Sequence, residues 1–407
     1  MSSSTSLQAD LRRLPRAFWV LVIGMFVNRF GTFVYPFLTL FLTGRDFSRG
    51  QIGLVMAGYG GGSLLAGLAG GWFADRFGRR WTIVAGTLAN AAAIFSLYFA
   101  LSPTALVALT LLAGFSNGFY HPAASALVAD LVPGELRLTA YASLRQAANA
   151  GFAFGTSAGG FLVVHSRFWL FAGDALTTAA FGVIALLLLP AGRRASHQEA
   201  RWTVALAHLR HDSRFFALYG AQLLTAWVLV QSVSSYALEI TGRELHLGSL
   251  LPTQIYGLLI GWNGVMIVLF ELLLTRLTRR HDARRVMALG CACTGLGFAC
   301  NAVAGGLPGL FAGMTLFTFG EMLTMPMVNA WVSHLAPENM RGRYMGVLGS
   351  AWAGANMLGP SLGLQLFGFR PALLWATCGL LGLAAGFILL RWGESSTAPV
   401  SRSVAEG

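Results

Sequence analysis

The sequence predicts an all-α integral membrane protein whose twelve transmembrane helices form two six-helix, pseudo-symmetric bundles. Of its 407 residues, 55% are hydrophobic and only 11% are charged, whereas about a quarter of the residues of a soluble domain are charged. Apolar runs long enough for a spanning helix, which needs about 20 residues, recur along the whole chain. Motifs of the first half also return in the second half.

The twelve predicted spans are separated by clusters of glycine, proline or arginine. They cover residues 17–43, 51–74, 81–101, 104–129, 138–164, 168–190, 214–237, 254–275, 286–304, 309–332, 343–367 and 371–391. The first run is too long for a signal-peptide core and has no small-residue cleavage site, so we expect it to be retained as a helix.

The basic residues indicate the orientation of the chain. The net charge is +12, and every one of the 28 basic residues is arginine. Most arginines lie at the N terminus and in the even-numbered loops, and those on the opposite side are Arg45, Arg49, Arg167, Arg243 and Arg370. The positive-inside rule therefore predicts a multi-pass plasma membrane protein (in a bacterium, of the inner membrane) with both termini cytoplasmic. It also explains the basicity without a nucleic-acid partner.

The two halves of the chain are related by an internal repeat. The segment ADLVPGELR, which ends at Arg137, aligns with SHLAPENMR, which ends at Arg341. One long polar stretch separates the halves, so we predict an N-terminal bundle at 1–190, a cytoplasmic linker at 191–213 and a C-terminal bundle at 214–407. Duplicated halves of equal orientation place a binding site between them, near the midplane of the membrane.

The loop after the second predicted span contains the motif GGWFADRFGRRW. It matches, position for position, the loop signature of the major facilitator superfamily, at Gly71, Asp75, Arg76, Gly78, Arg79 and Arg80. The chain resembles this family over its whole length, in its span number, repeat and central loop. The resemblance implies a monomeric secondary transporter without cofactors.

The resemblance also implies a role for the loop motif. In the family, such loops close the cytoplasmic side in one transport state, and Arg79 is expected to pair with Asp130 at the end of the fourth span. We call the six motif residues together with Asp130 the cytoplasmic latch. The alternative is that the arginines only determine topology.

The fifth span contains GFAFGTSAGG, which resembles the glycine-rich motif of drug–proton antiporters in this family. The matching glycines are Gly151, Gly155, Gly159 and Gly160, while Thr156 stands where the family has proline; the second half contributes Gly359, Pro360 and Gly363. Glycines spaced by four also allow close helix packing without any bearing on antiport, which is the alternative.

Ionisable residues inside the predicted spans are costly in lipid, so we expect them to face a cavity. Arginine keeps its proton, which makes Arg29 and Arg145 charge partners of exchangeable groups. The proton-coupling candidates are Glu321, at the middle of the tenth span, then Asp174 and His121. Their structural alternatives are a salt bridge from Glu321 to Arg29, an ion pair or helix cap for Asp174, and a helix kink at His121 beside a proline.

Aromatic and amide residues on the spans are candidates for the substrate cavity. They are Asn28, Tyr35, Trp227, Gln231, Trp262, Asn263, Trp352 and Asn356. We find no phosphate-binding loop, metal-ligand cluster or catalytic triad, so we expect neither an enzyme nor an ATP-driven pump. The predicted partners are a small-molecule substrate, protons and lipid.

The residues favour a proton-coupled exporter of small amphipathic compounds. Two alternatives stay open: an importer or facilitator of a metabolite in the same fold, and a transporter-like receptor that does not transport. The tenth-span acid and the glycine motif favour export.

The similar depth of residues 29 and 321 in their spans predicts that the two side chains face each other across the cavity. Arg29→Cys and Glu321→Cys, introduced together after replacement of the four native cysteines, should form a crosslink in at least one transport state. Gel mobility after treatment with a short bifunctional thiol reagent measures this crosslink. Absence of the crosslink in every state would contradict the pairing.

Overall fold

The computed structural model describes residues 9–190, 208–243, 245, 247–278, 281–335 and 340–392, without the side chains at 68–77, 121, 138, 329–330, 333–334, 341–342 and 392. The described residues are almost entirely helical and contain no β-strand beyond one isolated bridge between Leu247 and Leu250. This confirms the predicted all-α class.

In the first part of the described chain, the helices are numbered from Arg16 onward, after a short helical stretch at residues 9–13. They are α1 (Arg16–Phe30), α2 (Val34–Thr43), α3 (Arg49–Phe77), α4 (Arg79–Leu97), α5 (Pro103–Leu131), α6 (Arg137–His165) and α7 (Arg167–Leu188). The second part continues with α8 (Ser213–Val230), α9 (Ser235–Thr241), α10 (Pro252–Thr278), α11 (Ala283–Ala299), α12 (Leu307–Leu335), α13 (Arg341–Phe369) and α14 (Pro371–Trp392).

Side-chain caps explain where several helices begin. Ser102 accepts a bond of 3.2 Å from the N–H of Ala105, and proline fills the first position of α5. Asp212 caps α8 at 3.0 Å, and Asp282 caps α11 by accepting from the backbone N–H of Arg284 at 2.9 Å. Burial alone would raise the pKa of Asp282, but the hydrogen bonds from Arg284 outweigh it and leave that pKa lowered. Each cap satisfies an N–H group that the helix itself leaves free.

Two predicted spans are broken helices, a feature that the apolar runs did not indicate. The first span is interrupted at residues 31–33 between α1 and α2, and the seventh passes through a 3₁₀ turn at Gln231–Val233 between α8 and α9. In both places a polar side chain bonds the backbone at the break, which replaces the missing helical hydrogen bonds.

Seven segments of the described chain are long and apolar enough to cross a membrane. They are Arg16–Thr43, Gly134–His165, Arg167–Leu188, Ser213–Thr241, Pro252–Thr278, Leu307–Val328 and Pro371–Arg391. The other predicted spans are helical as well but do not reach the length or mean hydropathy of these seven, and α11, for example, has only 17 residues. The chain is thus a multi-pass helical protein, and the number of twelve spans stays a prediction.

The chain divides into two compact units. The first unit contains the described residues of Met1–Ser196 together with Ile240–Gly264, and its core includes Phe18, Leu21, Tyr120 and Phe181. The second unit contains those of His197–Glu239 and Val265–Gly407, and its core includes Phe215, Met287, Trp331 and Tyr344. Residues 240–264 thus pack with the first unit, and the predicted boundaries at 190 and 214 stay predictions.

Glycines of α6 allow close packing inside the first unit. A Cβ atom at Gly155 would lie 2.1 Å from the carbonyl oxygen of Phe30, and one at Gly160 would lie 3.2 Å from the Cα of Gly257. The glycine motif therefore brings α6 against the last turn of α1 and against the start of α10. The structure thus shows close helix packing at this motif, which is the alternative considered from the sequence. A role of the motif in antiport stays a prediction.

Gly155→Ala should destabilise the protein because the added methyl group meets backbone rather than a movable side chain. Gly67→Ala is the matched control, since no atom lies within 4 Å of the position where its Cβ would be, and a helical glycine replaced by alanine gains about 0.5–1 kcal/mol. Thermal unfolding in detergent, followed by tryptophan fluorescence, should show a lower midpoint for the first variant only. Equal midpoints for both variants would contradict the packing account.

Candidate functional site

A small polar cavity lies inside the first unit. Its volume is about 30 Å³, enough for a water molecule. The lining residues come from α1 to α5 and α7 and from the break: Asn28, Thr32, Tyr35, Tyr59, Asn90, Ile94, Asn117, Tyr120, Asp174 and Thr178. Two of the predicted substrate residues, Asn28 and Tyr35, therefore meet the predicted coupling residue Asp174 here.

Asp174 binds the backbone of the broken first span. Its Oδ2 atom accepts hydrogen bonds from the N–H groups of Phe33 at 3.1 Å and Val34 at 2.9 Å. The side chain is buried on α7. An acidic group at a helix N terminus satisfies free N–H groups and meets the positive end of the helix dipole. Asp174 thus caps α2 from a neighbouring helix, which is the structural role considered for it above.

A chain of hydrogen bonds leads from Asp174 into the cavity. The hydroxyl of Thr178 donates to Oδ1 of Asp174 at 3.4 Å, and Nδ2 of Asn28 donates to that hydroxyl at 3.2 Å. The hydroxyl of Tyr120 then donates to Oδ1 of Asn28 at 2.9 Å. All four side chains are buried. Buried polar groups connected in this way hold one another in a defined arrangement.

Aromatic rings and one arginine surround this chain. The rings of Tyr35 and Tyr59 lie 4.5 Å apart, between their centroids. Tyr35 directly follows Val34, so the residue that α2 contributes to the cavity is next to the amide that Asp174 binds. Arg29 directly follows the lining residue Asn28 on α1. The predicted charge partner Arg29 is therefore near the cavity.

The other charged candidates are more widely distributed. Arg145 is half-buried on α6, and Glu321 is half-buried on α12 in the second unit. The pairing of Glu321 with Arg29 joins the two units and stays a prediction. His121 lies on α5, but its side chain is outside the described part of the structure.

In the second unit, Gln231 connects the broken seventh span to α13. Its Nε2 atom donates to the carbonyl oxygens of Trp227 and Gly359, both at 3.1 Å. A Cβ at Gly363 would lie 2.1 Å from Oε1 of Gln231, so this glycine allows the contact. Gln231 is fully buried. These contacts show Gln231 as a packing residue, and its role in substrate binding stays a prediction.

The remaining cavity candidates lie on α8, α10 and α13. Trp227 and Trp352 pack around a small apolar cluster of α8 and α13, and Asn356 donates to the carbonyl oxygen of Trp352 at 2.9 Å. Trp262 is 40% exposed while the adjacent Asn263 is buried. Pro360 lies inside α13. Substrate contacts of these residues stay predictions.

The latch residues that the structure describes form the expected ion pair. Nε of Arg79 lies 2.9 Å from Oδ2 of Asp130, and the two side chains are only 12% and 15% exposed. Gly78 has a φ of 85° just before α4, a conformation that favours glycine. Arg80 donates to the carbonyl oxygen of Leu189 at 3.3 Å. The side chains at positions 71, 75 and 76 lie outside the described ones, and latch function stays a prediction.

Sequence reasoning missed several polar residues. Tyr59, Asn90, Asn117, Tyr120 and Thr178 line the cavity but were not among the candidates. Thr178 follows Asp174 by one helical turn, a spacing that indicates the same helix face; the signal was present in the sequence. Glu239 was also missed; it is buried in the second unit and accepts a bond of 2.9 Å from Nε1 of Trp375.

A multi-pass helical protein with a buried carboxylate in a polar cavity has the features of a membrane transporter. Comparison with known proteins identifies the family. The model described as Major Facilitator Superfamily matches residues 21–254 and 229–406. The chain belongs to the major facilitator superfamily, as the loop signature indicated, and it is a membrane transporter of that family.

Relatives and solved structures agree over nearly the whole chain. A protein of Planococcus maritimus named "Na(+), Li(+), K(+)/H(+) antiporter" is 27% identical over 92% of this chain and 95% of its own length. "Multidrug resistance protein 2" of Bacillus subtilis is 25% identical over 93% of this chain and 95% of its own. A crystal structure of a mutant of the nucleoside transporter NupG has a TM-score of 0.79 at 14% identity, covering 93% of this chain and 100% of that one, which shows the shared fold.

Arg79→Ala should slow transport about tenfold while binding and expression change little, because the ion pair favours one conformational state without contacting the ligand. Arg13→Ala is the matched control: it removes an exposed pair with Glu135, and exposed pairs contribute little. Transport in vesicles and equilibrium binding of the same transported compound measure the two effects separately. If Arg79→Ala lost binding and transport equally, misfolding rather than a broken latch would explain the defect.

Proposed function

We propose that the chain is a proton-coupled antiporter that exports small amphipathic compounds by alternating access. The observation that carries the proposal is the buried carboxylate of Asp174, which lines a polar cavity on a helix long and apolar enough to cross the membrane. A carboxylate in that environment is costly and typical of proton relays. The proposal includes no enzymatic reaction, metal or cofactor.

Coupling needs a group that gains a proton on one side of the membrane and releases it on the other. The arginines cannot do this because they keep their protons, so the carboxylates of Asp174 and Glu321 are the proposed exchange sites. Burial favours the neutral carboxyl, whereas hydrogen-bond donors and nearby arginines favour the charged form. Asp174 experiences opposing influences, from its buried position on one side and from two backbone N–H groups and the hydroxyl of Thr178 on the other.

The relatives support antiport and export. One is named as an antiporter of monovalent cations and protons, and another as a multidrug resistance protein. Tyr35 and Tyr59 offer aromatic faces next to the carboxylate, which suits an amphipathic or cationic compound. Both termini and the long central loop are predicted to be cytoplasmic. Export therefore means that the compound leaves from the side of the membrane that carries this loop.

Exchange of a monovalent cation for protons is a second candidate. The small volume of the cavity and its lining of carboxylate, amide and hydroxyl oxygens favour it, because such oxygens suit alkali and other hard cations. The two candidates differ only in the transported species. One assay therefore has to include both kinds of probe.

Accumulation in everted membrane vesicles tests the function. Vesicles with an acidic interior should accumulate ethidium or, in the second case, sodium, lithium or potassium, and an uncoupler should abolish the gradient-driven part. Vesicles without the protein supply the background. Uptake that is independent of the proton gradient, or that proceeds only in the opposite direction, would replace the exporter by the facilitator or importer considered from the sequence.

Glu321→Gln and Asp174→Asn should each abolish gradient-driven accumulation if both carboxylates carry protons, while downhill exchange of substrate continues. The amides keep the shape of the side chains and lose only the titratable proton. A variant that moves no proton loses the driving force of that charge, about 2.3 kcal/mol for each 100 mV of membrane potential. Glu239→Gln is the control, because the amide oxygen can still accept the bond from Trp375. If a variant accumulates ethidium or exchanges cations as the parent does, the carboxylate that it lacks does not couple transport to protons.

A further inference from the structure

We propose that Asp174 is a proton-operated clasp on the first span: its charged carboxylate holds the start of α2, and protonation releases it. The inference rests on the proposed proton coupling, to which it adds the structural element that responds to the proton. Its evidence, however, is the geometry around the break in the first unit.

The chain between α1 and α2 has little helical bonding of its own. The N–H of Thr32 bonds the carbonyl of Arg29 at 3.2 Å and that of Phe33 bonds Gly31 at 2.7 Å, both in short turns. The N–H of Val34 has Asp174 as its partner at 2.9 Å. The orientation of the first turn of α2 therefore depends on a side chain from another helix.

α7 is held close to this break. A Cβ atom at Gly31 would lie 1.6 Å from Oγ1 of Thr177, so only glycine permits the observed approach. Thr177 itself donates to the carbonyl oxygens of Gly173 and Asp174 within α7, both at 2.9 Å. Thr177 therefore contacts the break without entering the hydrogen-bond chain, whereas its neighbour Thr178 is part of that chain.

The charge on Asp174 strengthens the clasp. Two N–H groups donate to one oxygen at the positive end of α2, and hydrogen bonds to an ionised acceptor are about twice as strong as neutral ones. A protonated carboxyl group loses that charge and turns one oxygen into a donor. The bonds to Phe33 and Val34 are therefore weakened when a proton binds.

The charged and titratable groups around the cavity come from several helices. Arg29 on α1 directly follows the lining residue Asn28, and the ionisable lining residues of the other helices are Tyr35, Tyr59 and Tyr120. α4 contributes the neutral Asn90, and the described residues of α6 do not line the cavity. Among the described residues of the cavity lining, Asp174 is thus the acidic group that can gain a proton.

Release of the clasp would change the cavity directly. α2 is also held at Pro36, whose carbonyl oxygen accepts a bond of 3.0 Å from the hydroxyl of Tyr256 in the same unit. Between these two contacts lies Tyr35, which packs on Tyr59. With the bonds of Asp174 weakened and Pro36 still held, the first turn of α2 and the ring of Tyr35 are free to shift. Proton binding at Asp174 thus alters the wall that a ligand contacts.

Hydrogen exchange of the amides at Phe33 and Val34 tests the clasp without any transport assay. The protein in nanodiscs is labelled between about pH 5 and pH 8, a range that protonation of a buried carboxylate can reach, and exchange of the segment 31–36 is divided by the intrinsic rate at each pH. In the parent, protection should fall about tenfold as the pH drops, equivalent to about 1.4 kcal/mol. Asp174→Asn should show the low protection at every pH.

A matched pair of threonine variants keeps the test decisive if Asp174→Asn folds poorly. Thr178→Val removes a donor to the charged carboxylate, so the pH at which protection is lost should move upward. Thr177→Val should leave that pH unchanged. Protection that does not depend on pH in the parent, or the same shift in both threonine variants, would overturn the clasp.

The outcomes also separate this inference from the proposed function. If protection depends on pH as expected but vesicles show no proton-coupled transport, the clasp stands and the antiport proposal fails. If transport is coupled but protection is independent of pH, the proton acts elsewhere and the clasp fails.

Discussion

The bonds from the carboxylate of Asp174 to the backbone of the first span are the interaction on which the candidate site depends. A break in a membrane helix exposes N–H groups that lipid cannot satisfy, at a cost of several kcal/mol each. Asp174 removes that cost from outside the helix, at 2.9 and 3.1 Å. Because it does so, α2 can start after the break, and its Tyr35 lines the cavity. The site and the break are therefore one structural feature.

The second unit stabilises its own broken span by a different chemistry. There Ser234 and Ser235 donate to Oε1 of Gln231, and the amide nitrogen of Gln231 reaches the carbonyl oxygen of Gly359. An amide and two hydroxyls do not change charge near neutral pH, whereas a carboxylate can. Of these two breaks, the one in the first unit is thus bonded by a group that can respond to protons, which is why we assign the moving element to it.

How much the sequence could predict depends on the kind of interaction. Long apolar runs located the helices. Asp174 was visible because charge is rare inside such runs, and Arg79 because it belongs to the loop motif. The breaks were not predicted, because each lies inside one long run that was interpreted as a single span and the bonds at residues 33 and 34 are made by backbone N–H groups. Tyr59 lies in a glycine-rich stretch that has no charged or amide residue to draw attention to it. Such residues can be recognised as part of a site only from their neighbours in three dimensions. The spacing of residues along one helix does not reveal those neighbours.

The most direct test of the account is proton release by the purified protein when a ligand binds. In weak buffer with a pH indicator, addition of ethidium or of sodium, lithium or potassium chloride to the parent should release protons, as exchange at a shared site requires. Asp174→Asn should bind the same ligand and release fewer. Binding to the parent without any proton release would contradict the proposed antiport, and undiminished release from Asp174→Asn would remove Asp174 from it.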